Sequence, residues 1–305
     1  MKRISTIIIL PLLLITCSGL FTGCVKTGTT GNSIVVTYSI LGSIVKDLVH
    51  NQATVIVSIP NGQDPHDWEP SARDIEAINN AGLVVENGLG LEGGLGKTLD
   101  QARSSGVKFF TASDHITVRH VGQGEGIPSG DPDQAIGAPD PHLWMDPLAM
   151  RDVVAALIPA IKDALNIDVT AQGLDLENRL TALNTEIAAS VAQIPDANRK
   201  LVTGHESMGY FAQRYGFHLV GVIIPSLNSQ AEVSAADLAS LKQAILDNNV
   251  KVIFTELGTS PVVAKAIGDE TGVKVVELTT HALPADGSYF TFLRGVANTL
   301  TTNLI

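Results

Sequence analysis

The sequence AQGLDLENRLTALNTEIAASVAQIP, residues 171–195, decides the fold. Its apolar residues recur at intervals of three or four, which places them on one face of a helix. These residues are Leu176, Leu180, Leu183, Ile187, Val191 and Ile194. At about 1.5 Å per residue, a helix over most of this stretch is on the order of 35 Å long. The sequence therefore predicts one long, stiff helix that connects two globular lobes.

Short β-branched segments on both sides of this helix predict two parallel sheets. In the first half they lie near 34–38, 54–58, 82–86 and 107–110, and in the second half near 199–203, 218–224, 251–255 and 273–278. Helical segments near 206–215, 234–247, 261–271 and 289–304 follow the strands of the second half, and a loop-rich stretch separates the two sets. Such alternation is typical of parallel sheets flanked by helices. Two separate sets of four strands predict an α/β protein of two lobes, each with a four-stranded parallel sheet, rather than one closed barrel.

The N-terminus has the pattern of an export signal. Lys2 and Arg3 precede an apolar run that is too short for a standard membrane span, and Phe21-Thr22-Gly23-Cys24 suits cleavage before a lipidated Cys24. We expect a lipoprotein signal peptide at 1–23, a Thr- and Gly-rich tether at 24–33, an N-terminal lobe at 34–170, the connecting helix at 171–195 and a C-terminal lobe at 196–305. An uncleaved apolar anchor is the alternative for the N-terminus.

The cysteine count and the charge narrow the function classes. Cys17 and Cys24 are the only cysteines, and both lie in the predicted leader, so the body holds neither a disulfide nor a thiolate metal site. The formal net charge of −11 argues against nucleic acid as a partner.

Four of the eight histidines follow predicted strands. Ligand sites of parallel α/β sheets lie beyond the carboxyl ends of strands, so histidines in these loops are candidates for function. His66 lies in Asp-Pro-His-Asp-Trp, His142 in Asp-Pro-His-Leu-Trp, His205 after the fifth strand and His281 after the eighth. A single loop histidine is far more often a surface or hydrogen-bonded residue than a metal ligand. The repeated Asp-Pro-His pattern, with two histidines from each half, predicts that all four converge on one point.

Four imidazoles complete the tetrahedron that a closed zinc site prefers, with zinc–nitrogen distances of about 2.0–2.1 Å. Mn²⁺ leans toward carboxylates and fits this set less well, whereas copper and nickel also suit imidazole. The sequence predicts Zn²⁺ as the bound ion.

Three motifs resemble the zinc- and manganese-binding lipoproteins of ABC importers, the family of the periplasmic zinc-uptake protein and the streptococcal adhesin-type manganese proteins. They are Asp64-Pro65-His66 with Glu69-Pro70-Ser71, Pro141-His142-Leu143-Trp144-Met145-Asp146-Pro147, and His205 with Gly209-Tyr210-Phe211 and Arg214-Tyr215-Gly216. The likeness covers residues 34–304. It implies two lobes bridged by a long helix around one buried metal, with His66, His142 and His205 at the first three ligand positions. A histidine at the third position resembles the zinc branch.

The chain departs from this family pattern in two places. The fourth ligand is usually an aspartate, and Thr280-His281-Ala282-Leu283 matches its context with histidine instead. The resemblance therefore carries the fourth role to His281. Glu256, which ends the seventh predicted strand, is a reserve candidate that the resemblance does not support. The loop 115–139 holds few of the histidines and acids that zinc members often carry there, so a plain solvated loop is favoured over weak metal scavenging.

The resemblance implies a binding protein and not an enzyme: an extracytoplasmic monomer, anchored through Cys24, that captures zinc for an ABC permease and its ATPase. The alternatives are a manganese-binding homologue, a surface adhesin and a zinc-dependent hydrolase. A hydrolase would need an open metal position and a general base such as Glu206 or Glu256.

Overall fold

The chain is described by a computed structural model over residues 32–125 and 135–305. The predicted signal peptide, Cys24 and nearly all of the tether lie outside the described residues. So do Asp131 and Asp133 of the loop at 115–139.

The first half forms a four-stranded parallel sheet. Its elements are β1 (Ser33–Tyr38), α1 (Ser39–Val49), β2 (Thr54–Ile59), α2 (Ala72–Asn79), β3 (Leu83–Glu86), α3 (Gly96–Ser104) and β4 (Phe109–Thr111). The strand order is β2-β1-β3-β4, and every neighbouring pair is parallel. The central strand β1 is fully buried from Ile34 to Val36, because the sheet is covered on both faces. This sheet confirms the prediction for the N-terminal lobe.

Two long helices follow the first sheet. The connecting helix α5 (Thr170–Val191) is confirmed, and all six residues of its predicted apolar face are buried. It packs against α4 (Pro147–Leu165), which the sequence analysis left within a loop-rich stretch. Asp146 caps α4 by accepting a hydrogen bond from the backbone amide of Leu148, and Pro147 fills the first turn. An aspartate followed by a proline is a signal for the start of a helix. Pro159 lies inside the helix, and because proline usually ends or kinks a helix, the full length of α4 is hard to predict from the sequence.

The second half contains the four further strands that were predicted. Its elements are β5 (Lys200–Thr203), α6 (Gly209–Tyr215), β6 (His218–Val222), α7 (Ala235–Asp247), β7 (Val252–Thr255), α8 (Pro261–Thr271), β8 (Lys274–Glu277) and α9 (Tyr289–Leu304).

These strands form two parallel pairs, β5–β6 and β7–β8, instead of one continuous four-stranded sheet. The register of β5 shifts between Leu201 and Val202. At the ends of β5 and β7 a side chain joins the two pairs, because Glu256 accepts a hydrogen bond from the backbone amide of His205.

The α/β class and the two-lobed architecture are as predicted, while the exact lobe boundaries stay a prediction. Within the described part of the chain, no helix has the length and apolar character needed to cross a membrane. The carboxyl ends of the strands in both halves point toward the same region, where the four predicted histidines lie.

Candidate metal centre

The structure brings all four predicted histidines together. Nε2 of His142 lies 3.4 Å from Nε2 of His66 and 3.2 Å from Nε2 of His205. One ring nitrogen from each of these residues and from His281 lies within 4.8 Å of the others. Zinc–nitrogen bonds of about 2.0–2.1 Å in a tetrahedron separate neighbouring nitrogens by about 3.3–3.4 Å. The two measured separations match that spacing, and all four side chains are buried.

A tight turn after β2 places His66. The side chain of Asp64 accepts a hydrogen bond from the backbone amide of His66 at 3.0 Å, and the backbone carbonyl of Asp64 accepts one from the amide of Trp68 at 3.1 Å. The chain then enters α2 through a capping box between Ser71 and Asp74. The Asp-Pro-His motif thus fixes the backbone that presents this imidazole.

A buried carboxylate holds His142 in one orientation. Oδ1 of Asp140 accepts hydrogen bonds from the backbone amide and from Nδ1 of His142, both at 2.9 Å. The other oxygen of Asp140 accepts a hydrogen bond from Arg119 at 3.0 Å. Because Nδ1 of His142 carries the proton, its Nε2 presents a lone pair to the cluster.

Glu256 supports the two histidines of the second half. Its Oε1 accepts a hydrogen bond from the backbone amide of His205 at 2.8 Å and lies 3.2 Å from Nδ1 of that residue, within ion-pair range but outside hydrogen-bond geometry. Its Oε2 accepts hydrogen bonds from Ser207 at 2.6 Å and from Thr280. Glu256 therefore lies behind the imidazoles and is not one of the four grouped ligand residues.

Thr280 transmits this support to His281. Its hydroxyl proton is committed to Glu256, so its oxygen accepts the hydrogen bond from Nδ1 of His281 at 2.8 Å. Nε2 of His281 is buried and has no hydrogen-bond partner in the described structure. An unpaired buried polar atom costs about 1–3 kcal/mol, so this nitrogen is suited to accept a cation.

Burial keeps three of the imidazoles neutral. It lowers the pKa of His66, His142 and His281, and the neighbouring imidazoles lower these pKa values further. Burial also tends to lower the pKa of His205, but the Glu256 carboxylate outweighs it and raises that pKa. Burial tends to raise the pKa of Glu256, yet His205 and the surrounding donors hold it well below its usual range. The cluster therefore pairs mostly neutral ligands with one fixed negative charge, which favours a cation.

Arg119 is a part of the centre that the sequence analysis missed. Its guanidinium bonds Asp140 and Glu125, and its backbone amide donates to the hydroxyl of Tyr210 at 3.0 Å. Arg119 is buried, although it lies in the loop predicted to be plain and solvated. A single arginine gives no sequence signal for such a role, because its partners come from three separate segments.

Trp144 lies beside the cluster, whereas two other histidines lie outside it. Trp144 is fully buried, with its ring centroid 5.2 Å from that of His142 and 5.4 Å from that of His281, so it shields two imidazoles from water. His50 and His218 are exposed and lie outside the cluster. A cavity of about 150 Å³, lined in part by His66, borders the cluster.

The chain is similar in sequence and in fold to known metal-binding proteins. The family model described as ZnuA, zinc-uptake complex component A, periplasmic, matches residues 34–303. The manganese-binding lipoprotein MntA of Halalkalibacterium halodurans is 26% identical over 287 residues, covering 92% of this chain and 90% of the relative. The high-affinity zinc uptake system protein ZnuA of Bacillus subtilis is 28% identical over 285 residues, covering 87% and 85%. The structure of the periplasmic zinc-binding protein TroA of Treponema pallidum superposes with a TM-score of 0.76 at 22% identity, covering 90% of this chain and 99% of that one.

Proposed function

The chain belongs to the family of the periplasmic zinc-uptake component ZnuA, and on that premise we propose that it captures Zn²⁺ for a metal ABC importer. His66, His142, His205 and His281 hold the ion through their Nε2 atoms. The protein then delivers the ion to a membrane permease driven by an ATPase. The ion is the cargo of the protein, and binding, not turnover, is its activity.

The spacing of the ring nitrogens favours zinc over manganese as the bound ion. Nε2 of His142 lies from Nε2 of His66 and of His205 at separations that match two edges of a zinc tetrahedron, and the unpaired Nε2 of His281 is available as the fourth ligand. Manganese prefers oxygen ligands, and the nearest carboxylate, Glu256, is already bonded to Ser207 and Thr280. The manganese-binding alternative is kept because relatives in this family carry either metal in their names.

A hydrolase fits this geometry less well. A catalytic zinc keeps an open position for water, whereas four imidazoles at tetrahedral spacing fill the coordination sphere. The oxygens of Glu256 are occupied behind the ligands, so this carboxylate is not free to act as a general base. The adhesin alternative rests only on the names of some relatives and has no support in the site.

The proposal includes the place of the protein in the cell. The chain acts outside the cytoplasmic membrane as a monomer, and a lipid on Cys24 holds it there. This part rests on the sequence pattern of the leader and on relatives named as lipoproteins. Mass spectrometry of the mature N-terminus tests it directly.

Calorimetric titration of the metal-stripped protein with zinc, manganese, nickel and copper tests the function. We expect one zinc per chain, bound more tightly than manganese. Manganese binding tighter than zinc binding would assign the chain to the alternative. Absence of binding for all four metals would refute the proposal.

A further inference from the structure

The loop that carries His281 is fastened to the first half of the chain. The indole Nε1 of Trp144 donates a hydrogen bond to the carbonyl of Thr280 at 2.9 Å. Two residues beyond His281, the side chain of Asn61 makes two hydrogen bonds to the backbone of Leu283. The loop is thus held immediately before and shortly after the predicted ligand.

A further anchor lies where this loop enters α9. The hydroxyl of Ser43 in α1 donates to the carbonyl of Gly287 at 2.8 Å and accepts a hydrogen bond from the amide of Tyr289 at 3.1 Å. The far end of the loop is therefore fixed to α1 independently of Asn61. Loss of the Asn61 contact would loosen the segment that follows His281, which Trp144 then holds only at Thr280, without releasing α9.

Asn61 and Leu283 form a two-bond clamp. Nδ2 of Asn61 donates to the carbonyl of Leu283 at 2.8 Å, and Oδ1 of Asn61 accepts from the amide of Leu283 at 2.7 Å. Ser39 donates to the same Oδ1 at 3.2 Å and so orients the carboxamide. A carboxamide is the group that offers one donor and one acceptor side by side, which matches the two backbone groups of one residue.

The turn that holds Asn61 also leads to His66. The amide of Gln63 donates to the carbonyl of Pro60 at 3.2 Å, and Gly62 has a φ of +80°, which an L side chain rarely adopts. The clamp therefore ties the loop of the first ligand to the loop of the fourth. It spans the two halves of the chain directly beside the metal centre.

We propose that Asn61 is a positioning residue for the fourth metal ligand. It holds the backbone of Leu283 so that the imidazole of His281 stays in coordinating range of the other three. The inference rests on the proposed function, because it assigns Asn61 a part in the same capture of zinc.

The clamp acts by pre-organisation. Without it, His281 is in place in only a fraction of the molecules, and the apparent dissociation constant rises by the inverse of that fraction. The other three ligands are held by Asp64, Asp140 and Glu256 and keep their positions. Because Asp64 holds the backbone of His66 independently of Asn61, we expect the effect of Asn61 on zinc to pass mainly through His281.

The experiment measures zinc affinity by competition with a chromophoric chelator, using the purified chain stripped of metal. Loss of two exposed hydrogen bonds in Asn61→Ala is expected to weaken zinc binding roughly tenfold. Asn79→Ala is the matched control, since Asn79 is exposed and its side chain donates a hydrogen bond to the carbonyl of Ile75 in its own helix. This control is expected to leave the affinity unchanged.

Two further variants separate positioning from a general structural role. Asn61→Asp keeps the size and the acceptor, but it places a carboxylate oxygen against the carbonyl oxygen of Leu283, where Asn61 now donates. Because these two oxygens repel each other, Asn61→Asp is expected to weaken binding at least as much as Asn61→Ala. In a His281→Ala background, Asn61→Ala is expected to have no further effect. Full affinity in Asn61→Asp, or an undiminished loss in the His281→Ala background, would overturn the inference.

Failure of this inference differs from failure of the proposed function. If the unaltered chain binds no zinc, the proposed function fails. If it binds zinc tightly and Asn61→Ala binds equally tightly, only the role of Asn61 is refuted. Urea unfolding of the metal-free variants shows whether a loss of affinity reflects a loss of folding.

Discussion

Glu256→Gln tests whether one buried carboxylate supports two of the metal ligands. Glu256 bonds the backbone of His205 directly and reaches His281 through Thr280. A glutamine has nearly the same shape but offers only one acceptor oxygen and no charge. Its amide group would face either His205 or the two hydroxyl donors that now point at the carboxylate, so at least one contact is lost.

The expected loss follows from these contacts. Removal of an outer partner of a metal-binding histidine usually costs 10- to 100-fold in metal affinity. That range corresponds to about 1.4–2.8 kcal/mol. We expect the upper end for Glu256→Gln, because the substitution affects two ligands and removes a negative charge that the buried cation would otherwise meet.

Zinc affinity by chelator competition is the assay, and Glu277→Gln is the control. Glu277 ends β8, close in sequence to Thr280, but its side chain is exposed. The control makes the same change in net charge without touching the ligands. A Glu256→Gln protein that folds and binds zinc as tightly as the control would refute the reasoning.

Three other outcomes follow from the structure. His142→Ala removes the imidazole that lies closest to two others, and we expect zinc affinity to fall at least 100-fold by the same competition assay. The pKa of His205 is raised while those of His66, His142 and His281 are lowered, so protons compete for the site chiefly at His205. Zinc affinity should therefore fall as the pH drops, and zinc binding should release protons, measured by calorimetry in buffers of different ionisation enthalpy; an affinity that stays constant from pH 8 to 5 would contradict an all-imidazole site. Leu180→Ala removes a fully buried side chain of α5 and should lower the free energy of unfolding by about 2–5 kcal/mol in urea, whereas Leu174→Ala, at a side chain 56% exposed on the same helix, should have little effect.

The sequence predicted the elements that depend on local patterns. The apolar repeat from Leu176 to Ile194 predicts α5 because a helix buries one face, and burial of these residues follows directly. The four histidines were predicted as a group because each follows a strand, and parallel strands bring their carboxyl ends to one edge. These features need no knowledge of distant contacts.

The features that the sequence did not predict depend on which segments become neighbours. The second half pairs its strands as β5–β6 and β7–β8, and the residue pattern of single strands does not predict which strands pair. The role of Arg119 requires Asp140 and Tyr210 to converge on it from separate segments. Glu256 was considered as a ligand because it ends a strand, but the structure turns its oxygens toward the backs of the imidazoles.

The direction of the ring protons explains why this cluster suits a cation. Asp140 fixes a proton on Nδ1 of His142, and Thr280 accepts the proton on Nδ1 of His281, because its own hydroxyl proton goes to Glu256. The inward Nε2 atoms of both rings are therefore unprotonated and present lone pairs to the cluster. Asp140 acts directly and Glu256 acts through Thr280, so two buried carboxylates hold these two rings in the form that binds a metal ion.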